Sequence, residues 1–315
     1  MMTNESPPCL GGDADPNSWH FKPTKEEGPL PNPVGHTFPL LTHDLQGNWS
    51  LLGTGFYISS DGLFVTARHV IDEVSSNGRQ ISPLVILHPR SDTGLFGPSD
   101  VLYRPIIQCW LSDRADVALG VAATATNRKT GEVLRHWCWP LSWRTPEIGA
   151  RVATYAFPRH SMSEGGRTFL FHPELYPGKV LSSGDYRDRV IIPFPYIEVD
   201  CRIHGAASGG PICISAGNVV GINCTELAKN IDHPPGPGFG VQVECLRDAF
   251  IDDAIMPGED TARRVTFDEL VRAGCIEITD YVVRDRYELY YGTLARLDMI
   301  PATAPHPQIS FIHYA

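Results

Sequence analysis

Residues 53–71 read G-T-G-F-Y-I-S-S-D-G-L-F-V-T-A-R-H-V-I. Two short apolar runs flank the turn signal S-S-D-G, and Gly62 supplies the positive φ that a tight connection demands. The stretch is therefore predicted as a β-hairpin whose second strand delivers the chain, from about Ala67, into a short turn or helix. Working outward, the same texture recurs in PLVILH (83–88), VLYRPIIQCW (101–110), DVALGVA (116–122), ARVATYAF (150–157), RTFLFH (167–172), RVIIPFPYIEV (189–199), PICIS (211–215), NVVGINC (218–224) and GFGVQV (238–243). No helix of real length intervenes, which favours antiparallel barrels or a sandwich over βαβ units. The reading is all-β, with two antiparallel β-barrels over 49–145 and 146–245. Residues 1–48, rich in Pro, Gly and charge without a sustained period, read as an extended N-terminal arm. Residues 246–315 read as a C-terminal extension, in which VTFDELVRAGC (265–275) places Phe267, Leu270 and Val271 on one face of a short amphipathic helix with Gly274 near its end.

Composition narrows the function classes. At 315 residues, with 42% hydrophobic and 20% charged residues, the chain has ample material for a packed core. Its formal net charge is −10, and no Lys/Arg-rich block stands out. Nucleic acid is therefore an unfavourable partner. The first residues lack a basic segment followed by an apolar one, and no stretch approaches the roughly 20 apolar residues of a spanning helix, so the expectation is a cytoplasmic protein with no membrane contact. Eight cysteines (Cys9, Cys109, Cys138, Cys201, Cys213, Cys224, Cys245 and Cys275) do not make a dense disulfide framework, and no structural disulfide is expected. Cys201 and His204, with Cys213 and Cys224 downstream, have a spacing that invites a zinc reading. No second CxxC or HxxxH pair completes a ligand set, so these cysteines are expected as small buried apolar residues and no metal or organic cofactor is called for.

Three local motifs bear on chemistry. A serine hydroxyl is a poor nucleophile at neutral pH; acyl transfer needs an imidazole to take its proton, a carboxylate to hold that imidazole, and donors for the developing oxyanion. His69 closes the opening stretch at the end of a strand, where it can face a cleft. Asp116, in A-D-V-A-L (115–119), is attached to an apolar run that would bury it behind an imidazole; Asp113 is the competing acid. G-A-A-S-G-G-P-I-C (205–213) is the most specific: two glycines directly after Ser208 let the backbone turn sharply and leave the hydroxyl exposed. The order His, Asp, Ser differs from that of α/β-hydrolases and subtilisins.

With these motifs the chain resembles the trypsin-like serine proteases of the chymotrypsin fold, and most closely the protease domain of the HtrA/Deg group, over about 49–245. The resemblance implies a double six-stranded barrel with the site in the cleft between barrels, and a polypeptide substrate. It implies His69 as general base and then acid, Asp116 as its orienting partner, Ser208 as nucleophile, and the backbone N–H groups of Ala206 and Ser208 as oxyanion hole. Counting back along the same resemblance puts Arg202 at a pocket floor, with Asn223, Cys224, Thr225 and Glu226 along the wall and the substrate strand.

The chain departs from that pattern in four places. Ala206 stands where glycine is usual, Ala207 replaces the acid before the serine, Arg68 precedes His69, and the residues after Cys245 show no PDZ pattern. The main expectation is a serine endopeptidase working through an acyl-enzyme. Its rival, kept alive by Ala206, is a pseudoprotease that serves as a binding or scaffold module. A third reading makes the domain an effector in a larger multi-protein system, with the N-terminal arm and C-terminal extension contacting a protein partner or activator.

Overall fold

The computed structural model describes residues 19–20, 35–77, 79–89, 101–126, 130–131, 133, 135, 137–162, 168–201, 203, 205–226, 237–280, 294–304 and 308–311. Barrel one is built from β1 (Thr37–His43), β2 (Trp49–Tyr57), β3 (Leu63–Thr66), β4 (Leu84–Pro89), β5 (Val101–Ser112) and β6 (Ala118–Ala122). Hydrogen bonding runs β5-β4-β1-β2-β3-β6 and closes through β5–β6. Barrel two uses β7 (Arg151–Met162), β8 (Thr168–Gly184), β9 (Tyr196–Val199), β10 (Pro211–Ile214), β11 (Val219–Glu226) and β12 (Gly238–Gln242). It runs β7-β10-β11-β12-β9-β8 and closes through β7–β8. Two closed six-stranded antiparallel barrels are thus the architecture, as the reading of two barrels and the family resemblance together implied. Closure pairs the two strands at the ends of each hydrogen-bonded order, so among the described residues the short apolar strands of the barrels present no long open edge to another chain.

Barrel one begins earlier than 49, which corrects the predicted arm of residues 1–48. Thr37–His43 is buried along its whole length and lies between β2 and β4. Burial on both faces removes the alternation by which a strand is recognised, and Pro39 argues against one. That proline is tolerated because β4 pairs only with Leu40–Thr42, so no ladder bond is asked of it on that side. The predicted strand 189–199 shortens to Tyr196–Val199. Asp188 Oδ1 accepts the N–H groups of Val190 (2.9 Å) and Ile191 (2.6 Å), an Asx turn that holds the preceding residues out of the ladder. Conversely, β8 runs on to Gly184 through Pro173 and Pro177.

The C-terminal extension is packed onto both barrels. The chain continues through β13 (Phe250–Ile255), β14 (Arg263–Thr266) and the helix Phe267–Arg272, whose start carries a capping box between Thr266 and Glu269. Phe267, Leu270 and Cys275 are fully buried in one cluster with Trp143, Leu141 and barrel-two residues such as Val241. Further on, β15 (Leu294–Asp298) pairs with β5 of barrel one, and β16 (Gln308–Phe311) pairs with β8 of barrel two. Trp19–His20 pairs with β13; the rest of 1–34 lies outside the described residues. No helix among the described residues is long and apolar enough to cross a membrane.

Candidate active site

The hairpin β2–β3 ends in the five-residue helix α1, Arg68–Asp72, which carries His69 at the inter-barrel cleft. Val70 and Ile71 are buried and anchor this turn to the barrel core, so the ring of His69 is left on the outer side, 41% exposed. Asp116 sits just before β6, at the end of the turn from β5. Its Oδ2 lies 2.7 Å from His69 Nδ1, and its Oδ1 accepts the His69 backbone N–H at 2.9 Å. The carboxylate thus grips both ring and main chain, which sets the Nδ1–H tautomer and leaves Nε2 as an acceptor. Asp113, the competing acid, is exposed on the turn.

The two ionisable partners shift each other. Burial works against a charged His69 ring, but the hydrogen bond and charge of Asp116, backed by Glu73 and Asp72, outweigh it and hold the imidazole above its ordinary value. Burial alone would raise the Asp116 carboxyl; the hydrogen bonds and charge of His69 outweigh that and hold it below the ordinary carboxylate value. At neutral pH Asp116 is therefore an anion beside an imidazole poised to accept a proton.

Ser208 lies in the loop between β9 and β10. Barrel one reaches over to this loop: Thr54 N–H donates to Ser208 O at 2.8 Å, and Thr54 Oγ1 donates to Ala206 O at 2.7 Å. The approach is close enough that a Cβ on Gly53 would lie 2.6 Å from Val70 Cγ2 and 3.0 Å from Ser208 O. Gly53 thus lets β2 pass between the His69 helix and the serine loop. Gly209, at φ +86°, makes the sharp turn after the serine that Cβ-bearing residues resist.

Ala206 has φ +56°, in the left-handed region that costs an alanine about 1–2 kcal/mol. Ala207 N–H folds back onto Gly205 O at 2.6 Å, and Ala207 O accepts from Gly210 N–H at 3.0 Å and from Asn223 Nδ2 at 3.3 Å. The N–H groups of Ala206 and Ser208 donate to no acceptor among the described residues. A peptide carbonyl and its N–H point in opposite directions, so anchoring Ala207 O inward turns the Ser208 N–H away from that anchor.

Ser208 Oγ donates to the main-chain carbonyl of Cys224 at 2.9 Å, and no hydrogen bond joins it to His69. Cys224 and Asn223 are both buried. Asn223, expected along a pocket wall, instead lies beneath the serine loop, where its Nδ2 bonds Ala207 O and Thr154 Oγ1. The Cys224 thiol faces the Asp116 carbonyl at 3.7 Å, and burial, reinforced by the Asp116 charge, pushes its pKa far up. It is a neutral thiol. Thr225 and Glu226 complete β11; Arg202 and His204 lie outside the described residues. Cys201 and Cys213 are buried as well, and no metal-binding cluster occurs among the described residues. Sequence reasoning missed Thr54 entirely, although it stands inside the stretch that was read for its strands.

Residues 53–222 match the family model described as trypsin-like peptidase domain. Over 210 residues, 65% of this chain, the sequence is 27% identical to a protein described as probable periplasmic serine endoprotease DegP-like from Pseudomonas savastanoi pv. phaseolicola. The chain spans 35% of that relative's length. Among solved structures, it is similar to Deg5, with 17% identity and TM-score 0.46 over 67% of this chain and 85% of that one. It is also similar to the MamO protease domain from Magnetospirillum magneticum, with 13% identity and TM-score 0.45 over 67% of this chain and 93% of that one.

Proposed function

The chain belongs to the trypsin-like peptidase family, and we propose that it is a serine endopeptidase in which His69, Asp116 and Ser208 act together on a peptide bond. The observation that carries this reading is the two-point grip of Asp116 on His69, at 2.7 Å and 2.9 Å. A largely buried carboxylate that fixes both tautomer and ring position has little structural purpose on a half-exposed imidazole; it has a clear one if Nε2 must take a proton.

The substrate edge follows from the strand pairing. Pairing of β11 with the serine loop ends at Asn223, whose N–H donates to Gly210 O (2.8 Å) and whose O accepts from Gly209 N–H (2.7 Å). Beyond it, Cys224 bulges out of the register and Thr225 and Glu226 pair only with β12 among the described residues, and on the other side the Cys224 carbonyl accepts from the serine hydroxyl. An extended polypeptide adds to such an edge as a further strand, presenting its scissile carbonyl at Ser208.

In the reaction, Ser208 Oγ leaves the Cys224 carbonyl by rotation about χ1 and passes its proton to His69 Nε2 as it bonds the carbonyl carbon. The resulting imidazolium is stabilised by Asp116, and the negative oxygen accepts from the Ala206 and Ser208 N–H groups. The imidazolium then protonates the departing amine, and the C–N bond breaks to leave an ester on Ser208. Water, deprotonated by the same imidazole, hydrolyses that ester and returns the proton to Ser208 Oγ.

The rival reading, a binding module that keeps the cleft without turnover, draws support from the Ser208 Oγ contact with Cys224 O in place of His69. Labelling of the purified protein with a fluorophosphonate separates the two. Covalent labelling lost in Ser208→Ala supports the peptidase; absence of labelling in the folded protein supports the binding module.

A further inference from the structure

Thr54 does not belong to the triad, to the oxyanion donors or to the substrate strand, yet it bonds the serine loop twice, once through its hydroxyl and once through its N–H. It is fully buried in β2 of barrel one. Its hydroxyl accepts from the Phe157 N–H of barrel two at 3.3 Å and donates to Ala206 O at 2.7 Å. The acceptance from Phe157 leaves the hydroxyl proton free for the Ala206 carbonyl, so the donor direction is set. Phe157 is available for this because the β7–β8 register slips between Ala156 and Arg159; such a bulge leaves a residue outside the ladder. Thr54's own N–H holds Ser208 O at 2.8 Å, and its carbonyl is held in turn by Thr66 Oγ1 at 2.8 Å.

We propose that Thr54 is a positioning residue for the oxyanion hole: its hydroxyl holds the Ala206 carbonyl, and so keeps an alanine in a left-handed conformation that glycine would adopt unaided. The inference rests on the reading of Ala206 and Ser208 as oxyanion donors. A residue in an unfavourable region of φ/ψ persists only where its surroundings over-determine it. At Ala206 the neighbouring bonds on barrel two hold Gly205 O and Ala207 O; the carbonyl of Ala206 itself is held from barrel one. Without that bond, rotation about the Ala206 backbone relieves the alanine and swings its N–H out of place. Substrate binding along β11 is untouched by such a change, while transition-state stabilisation suffers. The latch crosses the cleft, so it also makes the donors depend on the two barrels being seated together.

The test is a double-mutant cycle on the full chain with Thr54→Val, Ala206→Gly and the pair, with Thr54→Ser as the conservative variant. Turnover of a peptide substrate and thermal unfolding are both read. Thr54→Val keeps the shape and the backbone N–H but loses the hydroxyl, and kcat is expected to fall on the order of tenfold or more with KM within about twofold, since removal of a whole oxyanion donor costs about 10²–10³. Thr54→Ser should stay within about threefold of the parent. In the Ala206→Gly background the same valine substitution should cost less than about threefold, because glycine needs no latch. Should Thr54→Val fail to fold, Thr54→Ala carries the same cycle. An equal loss in both backgrounds, a loss confined to KM, or a serine variant as poor as the valine variant would overturn the proposal. If the parent shows neither turnover nor Ser208-dependent fluorophosphonate labelling, it is the peptidase reading that fails. The thermal cycle still decides Thr54 in that case: without the latch the alanine relaxes and leaves less strain for glycine to relieve, so a smaller gain in Tm from Ala206→Gly in the Thr54→Val background than in the parent supports the latch, and an equal or larger gain refutes it.

Discussion

On the barrel-one side of the cleft, His69 and Asp116, 47 residues apart, meet side chain to side chain. On the barrel-two side, the serine loop is held mainly through its backbone, with three successive carbonyls anchored: Ala206 O by Thr54, Ala207 O by Gly210 and Asn223, Ser208 O by Thr54. The first half is a charge-assisted pair whose geometry follows from the two residue types involved. The second half takes its shape from where carbonyls are anchored, and its functional groups are the N–H groups left over. A site can therefore be strongly specified in one half by side-chain chemistry and in the other by the surrounding sheet, and the two halves should respond differently to substitution.

The largest expected effect removes the group the two halves share. Ser208→Ala should lower kcat by about 10⁶ while leaving the unfolding midpoint near that of the parent. Gel-based peptide cleavage checks it, and retained cleavage would assign the nucleophile elsewhere. Next comes the side-chain half: Asp116→Asn should cut kcat by about 10⁴, because the amide no longer enforces the Nδ1–H tautomer. A loss below about tenfold in the same assay would break the contrast and point to Asp113 as the working acid.

The pH profile sharpens the same half. The Asp116 bond and charge hold the His69 pKa above the ordinary 6.5, so the imidazolium persists to higher pH and the free base is lost as pH falls through that raised value. A plot of kcat/KM should accordingly drop about tenfold per pH unit on its acidic limb, with a midpoint above 6.5. In Asp116→Asn the residual activity should titrate lower, since burial then acts on the ring with less opposition. A midpoint that does not move would show that Asp116 sets geometry alone. The smallest effect belongs to the backbone half: Ala206→Gly relieves a strained residue and should leave kcat within about threefold, measured under the same assay. A large loss there would mean that the alanine methyl itself, rather than the carbonyl anchoring, shapes the loop.

Much of this was readable along the chain. The glycines around Ser208, the apolar run after Asp116 and the hairpin before His69 are local patterns, and the structure brings His69 and Asp116 into contact as those patterns suggest. The helix in 265–275 was legible from its periodicity and from Gly274 near its end; its Thr266–Glu269 capping box was seen only in the structure. The strand Thr37–His43 was not, because burial on both faces leaves no alternation to detect. Counting placed Asn223 and Cys224 along the wall and the substrate strand; the Asn223 side chain lies under the serine loop and the Cys224 thiol faces the Asp116 carbonyl. A one-residue slip in β11 between Asn223 and Thr225 changes which face a side chain takes, and counting is blind to bulges.

Residue types with rare chemistry at short spacing carry their meaning in the chain itself: an imidazole, a carboxylate and a serine followed by two glycines announce what they are able to do wherever they fold. Every residue, by contrast, has a carbonyl and nearly every one an N–H, so no pattern marks which of them will be anchored and which left over. That Thr54 holds Ala206, that Ser208 rests on Cys224, and that the C-terminal extension adds a strand to each barrel were decided only when distant strands came together, because identical backbone groups acquire distinct roles solely from their neighbours in space.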